Sequence, residues 1–227
     1  MTSSQRAPET GQTGPSPAAL LTREAVIDAA AALVAEQGYD ELSMRTLGER
    51  CGVSAMTLYR YVESKEDLLG ALADRILGEV ERPDPQRTPW QEVIRAVFGS
   101  THRVLLEHPE LAEIATRQHL NGRNSYAAAE VVLEALRQAG ITGAAAAGAF
   151  DVLTSYTMGF TQRQAGTRSE ETLARRLAVV QELPAEEFAN IRELGETFLM
   201  RHSDRQFEDG LELLIAGLEA RAPSDGG

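Results

Sequence analysis

Residues 45–61, RTLGERCGVSAMTLYRY, restrict the fold of this chain more than any other stretch. Gly52 predicts a turn with positive φ, because glycine adopts that backbone conformation without a steric penalty. Gly48, four positions earlier, predicts that two helices cross closely, since a side chain there would hold them apart. The stretch therefore predicts a helix-turn-helix. Its buried positions are expected at Leu47, Cys51, Val53, Leu58 and Tyr61.

Helices on both sides of this motif are predicted by apolar periodicity and by capping residues. Thr22 begins the first of them and Gly38 ends it. Ser64, with Asp67 three positions later, resembles a capping box for the helix that follows the motif. The four helices of this region are expected at residues 22–38, 43–51, 54–61 and 64 to about 83.

The remaining sequence repeats the helical pattern, and no stretch alternates convincingly with period two. We therefore predict an all-α fold, in which an N-terminal three-helix domain with the helix-turn-helix is joined by a fourth helix to a second helical domain. RPDPQRTP (82–89) is a linker by composition. The later helices are expected at 89–106, 109–121, 125–139, 144–165, 171–181, 185–202 and 204–220. The predicted domains are a disordered arm (1–20), the helix-turn-helix domain (21–81), the second helical domain (82–221) and a disordered tail (222–227).

The charge of the chain is unevenly distributed. The formal net charge is -12, yet residues 43–65 contain four basic and two acidic side chains. A protein that coats nucleic acid without specificity is basic over most of its surface. This distribution instead predicts weak non-specific affinity for DNA and a small, focused contact area.

Several classes of protein are disfavoured by what the sequence lacks. No apolar run approaches the ~18 residues that cross a bilayer, and the polar N-terminus has no signal-peptide core, so we expect a cytoplasmic protein without membrane contact. One cysteine, Cys51, excludes an intramolecular disulfide. The four histidines lack metal-binding spacing, and no phosphate loop or nucleophile elbow is present. We therefore expect no metal, no cofactor and no enzymatic activity.

In a DNA-binding helix-turn-helix the second helix enters the major groove with its N-terminal half. Its predicted exposed side chains include Ser54, Met56 and Arg60. Thr57 and Tyr59 carry hydroxyl groups for phosphate, and Lys65 begins the next helix as a positive point charge.

Residues 21–76, and GVSAMTLYRYVESKEDLL above all, resemble the TetR/AcrR family of transcriptional regulators. The segments YAAAEVVLEALRQAGI, SYTMGFTQRQAG and RQFEDGLELLIAGLEA are similar to the C-terminal domain of the tetracycline-repressor branch. The resemblance implies a homodimer that binds DNA through the first domain, with dimerisation and ligand binding in the second. The positions that match DNA-contacting ones in the family are Arg45, Thr57, Tyr59, Arg60, Tyr61 and Lys65.

The sequence itself contains apolar stripes that suit a dimer interface. The last helix carries Phe207, Leu211, Leu214, Ile215 and Leu218 at helical spacing, and the Ala/Gly-rich helix 144–160 contributes Val152 and Tyr156. Two such helices from each subunit can form a four-helix interface. The alternative is that these stripes face the core of their own subunit.

A pocket for the ligand is expected along the first helix of the second domain. Phe98, Thr101, His102 and Leu105 predict mostly apolar walls, and we add His119 and Met158 as candidates. The resemblance would place a magnesium-binding histidine near Ala115, where this chain has none. A magnesium–tetracycline ligand is therefore not expected, and the predicted effector is a small, largely apolar molecule.

These observations predict a ligand-responsive transcriptional regulator. The expected form is a repressor that binds a palindromic double-stranded operator as a homodimer and is released by the effector. The alternatives are a helical protein-interaction module, or a small-ligand carrier or enzyme, either with a non-functional helix-turn-helix.

Overall fold

The computed structural model describes residues 21–109, 122–165, 170–199 and 203–222. Within these ranges every regular element is helical, which confirms the predicted all-α fold. The predicted terminal arm and almost all of the predicted tail lie outside the described residues. Nearly all of the predicted helix 109–121 lies outside them as well, and so does His119.

The first four helices surround the predicted helix-turn-helix. Their bounds are α1 Arg23–Gln37, α2 Met44–Cys51, α3 Ala55–Leu58 and α4 Lys65–Ile76, with short 3₁₀ turns at Tyr39–Glu41 and Leu77–Glu79.

Seven more helices are described in the rest of the chain. They are α5 Trp90–Glu107, α6 Arg123–Gln138, α7 Gly143–Ala165, α8 Glu170–Glu182, α9 Ala189–Leu194, α10 Glu196–Leu199 and α11 Asp204–Glu219.

By their internal contacts the residues form two compact units, 1–72 and 73–227. The division falls inside α4, earlier in the chain than the boundary predicted after residue 81. The last four residues of α4, from Ala73 to Ile76, therefore belong to the second unit.

Helix α1 forms for the reasons that the sequence suggests. The Thr22 hydroxyl accepts a hydrogen bond from the Ala25 amide at 3.1 Å and caps the helix, and Gly38 ends it with φ 88°. Its inward face is apolar and buried. The buried residues are Val26, Ala30, Leu33 and Val34.

The core of the second unit is built mainly by α5, α6, α7 and α11. Each helix contributes an apolar stripe at a spacing of three and four residues, as a helix with one buried face requires. Representative core residues are Ile94 and Phe98 from α5, Leu136 from α6, Leu153 from α7 and Phe207 from α11.

The helix predicted at 185–202 is wrong in its extent. Residues 184–188 form a turn, in which the amides of Glu187 and Phe188 donate to the Pro184 carbonyl. Gly195, with φ 49°, then separates α9 from α10. Proline and a glycine of positive φ both interrupt a helix, whatever the apolar periodicity around them.

One carboxylate joins the second half of α4 to the start of α6. Asp74 accepts hydrogen bonds from the backbone amides of Asn124 at 3.2 Å and Ser125 at 2.9 Å. The Asn124 side-chain amide donates in turn to the Asp74 carbonyl at 3.0 Å. Gly122 allows this approach, because a Cβ there would collide with the Asp74 carboxyl group. Asp74 thus caps a helix about fifty residues later in the chain.

Candidate functional site

The turn between α2 and α3 has the geometry that its two glycines predict. Gly52 ends α2 in the left-handed conformation, with φ 68° and ψ 28°. A Cβ on Gly48 would lie 2.8 Å from the Val53 carbonyl oxygen and 3.1 Å from the Ala55 amide nitrogen. The close crossing of the two helices therefore requires glycine at position 48.

The buried side of the motif is only partly as predicted. Leu47 and Leu58 are completely buried, whereas Cys51, Val53 and Tyr61 are half-buried. Burial raises the pKa of the Cys51 thiol, and the neighbouring Arg50 charge lowers it by a smaller amount. The thiol is therefore mainly protonated at neutral pH, as suits a residue that packs.

Helix α3 is shorter than the predicted 54–61. Ser54 caps it, since its hydroxyl accepts from the Thr57 amide at 3.2 Å and lies 2.9 Å from the Thr57 hydroxyl. After Leu58 the chain continues as a tighter turn, in which the Tyr61 amide donates to the Leu58 carbonyl at 2.8 Å. Tyr59 and Arg60 therefore lie in this turn rather than on a regular helix.

Most of the predicted DNA-contacting residues lie at the surface. Met56 is 77% exposed although it is apolar, and the Arg45 side chain is 80% exposed. The other exposed members are Ser54, Tyr59 and Arg60, and the half-buried ones are Thr57, Tyr61 and Lys65.

Lys65 is positioned by its neighbours at the start of α4. Its ammonium group lies 5.7 Å from the centre of the Tyr39 ring, a partner that sequence reasoning missed. The predicted cap is present in a variant form: the Ser64 hydroxyl accepts from the Asp67 amide at 3.0 Å, while the Asp67 carboxylate accepts from the Glu63 amide at 3.0 Å. The same carboxylate pairs with Arg23 at 2.6 Å.

The four basic residues between 43 and 65 are not equivalent. Arg50 forms two hydrogen bonds of 2.7 Å with Glu36, so its charge is largely neutralised locally. Arg45 lies 3.5 Å from Glu49, and both side chains are well exposed, so this pair is weak. Arg45, Arg60 and Lys65 are therefore the charges best placed to meet a phosphate or a base.

The α5 residues predicted to line the ligand pocket are buried. Phe98, Thr101, His102 and Leu105 all face inwards, and Met158 of α7 is half-buried. The Thr101 hydroxyl donates to the Val97 carbonyl of its own helix at 2.7 Å, which leaves its methyl group to pack.

Helix α7 carries a polar stripe that the sequence prediction of mostly apolar pocket walls did not include. Thr154, Thr157, Thr161 and Gln164 recur at a spacing of three and four residues, and therefore share one face. Among the described residues, no hydrogen-bond partner meets the buried side-chain oxygens of Thr154, Thr157 or Gln164. Buried polar atoms without partners are costly and uncommon in proteins.

His102 is held in one orientation. Its ring stacks on Phe207 with 3.9 Å between ring centres, and its Nδ1 lies 2.7 Å from the Thr161 hydroxyl oxygen. Its Nε2 is buried and lies 3.6 Å from a carboxylate oxygen of Asp204. Burial lowers the pKa of His102, and the nearby Asp204 charge opposes this shift in part.

A cleft of about 470 Å³ opens between α5 and α11. His102 is the one predicted ligand residue that lines it, since Phe98, Thr101 and Leu105 face elsewhere. Half of the residues that line it are charged, among them Arg95, Arg103 and Glu107 of α5 and Asp204 and Glu208 of α11. In the described ranges no three His, Cys, Asp or Glu side chains are grouped so as to hold a metal ion.

Three of the residues predicted at the dimer interface belong to the protomer core. Phe207, Leu211 and Ile215 are only 1%, 3% and 1% exposed, because the main stripe of α11 packs against α5 and α7. The interpretation that this stripe faces the subunit's own core is therefore correct for them. Of the other predicted interface residues, Tyr156, Leu214 and Leu218 are half-buried, and Val152 is exposed.

The outward faces of α7 and α11 contain a second set of apolar and small residues, the outer face. Leu213 is 76% exposed and Val152 is 51% exposed. The exposed small residues beside them are Ala144, Ala145, Ala147, Gly148, Ala216, Gly217 and Ala220. Sequence periodicity missed Leu213, because a stripe of strong hydrophobic residues on the same helix conceals it.

Two family descriptions match this chain. Residues 26–72 match "Bacterial regulatory proteins, tetR family", and residues 82–222 match "Tetracyclin repressor-like, C-terminal domain". Within the described residues, no helix is both long and apolar enough to cross a membrane.

Individual relatives agree with this match. An HTH-type transcriptional regulator of Saccharopolyspora erythraea is 33% identical over 89% of this chain and 86% of its own length. The class D tetracycline repressor of Escherichia coli is 32% identical over 89% of this chain and 91% of its own length. The crystal structure of the Streptomyces coelicolor protein ActR in complex with actinorhodin has a TM-score of 0.82 and 30% identity, and covers 90% of this chain and 99% of ActR.

Proposed function

This chain belongs to the TetR family of bacterial transcriptional regulators, and we propose that it binds a palindromic DNA operator as a homodimer and releases it when a small effector binds. The observation that carries the proposal is the α2–α3 turn, in which Gly48 and Gly52 bring two helices together beneath an exposed, basic surface. Members of this family are regulators and not enzymes. A regulator of bacterial operators works in the cytoplasm, where the DNA lies.

The DNA contacts are divided by chemistry. Arg45 and Arg60 are proposed to reach base edges, because a guanidinium group can bond a guanine at two points. Met56 is proposed to contact a thymine methyl group, for which an exposed apolar side chain is suited. The remaining contacts are proposed to be to phosphate and sugar, and to position the protein without reading sequence. They involve Ser54, Thr57, Tyr59, Tyr61 and Lys65.

The homodimer is proposed to form through the outer face of α7 and α11. One helix-turn-helix reads few base pairs, and two related by a two-fold axis read a palindrome. Val152 and Leu213 supply apolar area to this face, and its glycines and alanines let helices approach closely. Leu214, Leu218 and Tyr156 are proposed to border the interface.

The effector is proposed to bind in the second unit, between α5 and α7. Phe98, Thr101, Leu105 and Met158 remain the candidate apolar contacts, with His102 at the margin of the site. The unpaired oxygens of Thr154 and Thr157 favour an effector that carries hydrogen-bonding groups, rather than the largely apolar molecule expected from the sequence. ActR, crystallised with actinorhodin, supports a small-molecule effector for a fold of this kind.

We propose repression as the sign of regulation, since the class D relative is named a repressor. The alternative of a protein-interaction module with a degenerate motif is less well supported, because both glycines and the caps of α2 and α3 are intact. A carrier or enzyme finds no support among the family relatives.

The test is fluorescence anisotropy with labelled DNA from upstream of the protein's own gene. We expect saturable binding that a palindromic segment retains, and that the double variant Arg45→Ala/Arg60→Ala loses. Arg221→Ala, on an exposed basic residue after α11, is the matched control and should bind as the wild type does. Equal binding of all three proteins would refute the proposed DNA surface.

A further inference from the structure

We propose that the cleft between α5 and α11 is a second small-molecule site, and that it binds a protonated amine. The cleft opens on the other side of His102 from the α5–α7 interior, where the effector is proposed to bind, so this residue borders both sites. The proposed amine site rests on the hydrogen-bonding state of His102 and on the charges that line the cleft.

The state of the His102 ring follows from its neighbours. The Thr161 hydroxyl donates its one proton to the Thr157 carbonyl at 2.7 Å. Its oxygen can therefore only accept from His102, so Nδ1 carries the proton in the neutral ring. Nε2 then carries a lone pair that requires a hydrogen-bond donor. Burial favours this neutral form, because it lowers the pKa of the imidazole.

The nearest polar atom cannot satisfy that lone pair. The Asp204 carboxylate oxygen, 3.6 Å away, is itself an acceptor. The Gln164 side-chain amide donates to the same oxygen at 2.6 Å. Two acceptors at this separation can share one ammonium group, whose N–H donors reach ~2.9 Å each. The Asp204 side chain is 75% exposed, so it can adjust to admit such a group.

The charges of the cleft favour a cation. Its lining contains four carboxylates and two guanidinium groups, a net charge of -2. Arg103 pairs with Glu81 at 2.8 Å, and Arg95 pairs with Glu212 outside the lining. Glu107 shares the charge of Arg103 with Glu81, whereas Asp204 and Glu208 present carboxylates that form no ion pair with a guanidinium group in the described structure. These carboxylates lie in the same cleft as an unpaired acceptor on His102, whose side chain is only 5% exposed.

The size of the cleft and its apolar part restrict the ligand further. A volume of about 470 Å³ is in the range of small-molecule sites. Leu106 and the Phe207 ring give it an apolar wall beside the acceptors. The fitting ligand is thus a primary or secondary amine, positively charged at neutral pH, with a compact apolar substituent.

Benzylamine is the probe, and benzyl alcohol and benzoate are its neutral and anionic analogues of the same shape. Binding to the full-length protein without DNA is followed by the ¹⁵N resonance of the His102 Nε2, assigned with His102→Gln. We expect saturable binding of benzylamine that moves this resonance, at least about tenfold weaker binding of benzyl alcohol, and none of benzoate. Asp204→Asn should weaken benzylamine binding about fivefold, and the matched control Asp209→Asn, on the same helix outside the lining, should not.

Each other outcome overturns the proposal. Benzoate that binds as well as benzylamine would show that the charges do not select a cation. Equal effects of Asp204→Asn and Asp209→Asn would show that the amine is attracted by the overall negative charge of α11 and not by Asp204 in particular. Absence of saturable benzylamine binding in a protein that melts as the wild type does would remove the site altogether. None of these results bears on operator binding.

Discussion

Replacing Gly48 by alanine should abolish operator binding while leaving the protein folded. The new Cβ would lie 2.8 Å from the Val53 carbonyl oxygen, 3.1 Å from the Ala55 amide nitrogen and 3.3 Å from the Ser54 carbonyl carbon. All three are backbone atoms, so no side-chain rotation relieves the contact. The chain around α3 must move by a few tenths of an ångström or more.

The expected loss of stability is modest. Overpacking costs about 1–3 kcal/mol, and alanine in place of glycine within a helix returns about 1 kcal/mol. The net destabilisation is therefore about 1 kcal/mol and should lower the melting temperature by a few degrees. DNA binding should suffer far more, because the shift acts on the start of α3 in both subunits of the proposed dimer, where the proposed base contacts depend on position.

Gly52 provides the comparison, because it is required for a different reason. Nothing lies within 4 Å of a Cβ at this position, and only its φ of 68° opposes a side chain. Asparagine tolerates that conformation better than other residues. Gly52→Asn should therefore keep operator binding in the anisotropy assay, whereas Gly48→Ala and Gly48→Asn should lose it. A Gly48→Ala protein that binds and melts as the wild type does, or a Gly52→Asn protein that is the more damaged of the two, would refute the steric role of Gly48.

Three more predictions concern other parts of the molecule. Lys65→Ala should weaken binding to matched and mismatched operators equally, and should lower the log–log salt slope of the dimer by roughly two, one for each subunit; a loss at one base-pair position alone would place Lys65 at a base. Leu213→Asp should give monomers in sedimentation and loss of operator binding, because it places two carboxylates in the proposed interface. The control Arg205→Asp, also on the exposed side of α11, should leave the dimer intact. A stable Leu213→Asp dimer would place the interface elsewhere. The stability of the protein should fall as the pH drops below about 6.5, because burial lowers the pKa of His102 in the folded state and the unfolded chain takes up the proton first. His102→Gln should flatten this decline in melting temperature between about pH 7 and pH 5.5, and an unchanged slope would assign the decline to other groups.

The first unit could be predicted from sequence because its signals are local. The caps at Thr22, Ser43 and Ser64 act within four residues, and the two glycines fix the turn by backbone geometry alone. The early end of α3 also has a local cause, since the chain turns more tightly after Leu58, whereas the partial burial of Cys51, Val53 and Tyr61 was not predicted.

The second unit could be predicted less well because its features depend on contacts distant in sequence. The stripe at Phe207, Leu211 and Ile215 reveals that one face of α11 is buried, but not whether its own subunit or a partner covers it. Likewise His102 acquires its hydrogen-bonding state from Thr161, which lies 59 residues later. The periodicity of neither helix predicts the hydrogen bond between His102 and Thr161.

The Asp74 cap and the division inside α4 restrict how such regulators can exchange parts. A chimera joined in the linker after residue 81 would carry Leu77 and Val80, which pack in the core of the second unit, into another protein. It would also carry Asp74 to a helix that lacks Gly122 or the Asn124 amide group. Recombination that respects these contacts must cut between Leu72 and Ala73, within a continuous helix. A new operator specificity should therefore be grafted onto the second unit within a turn of helix α4, and not in the proline-rich linker 82–89.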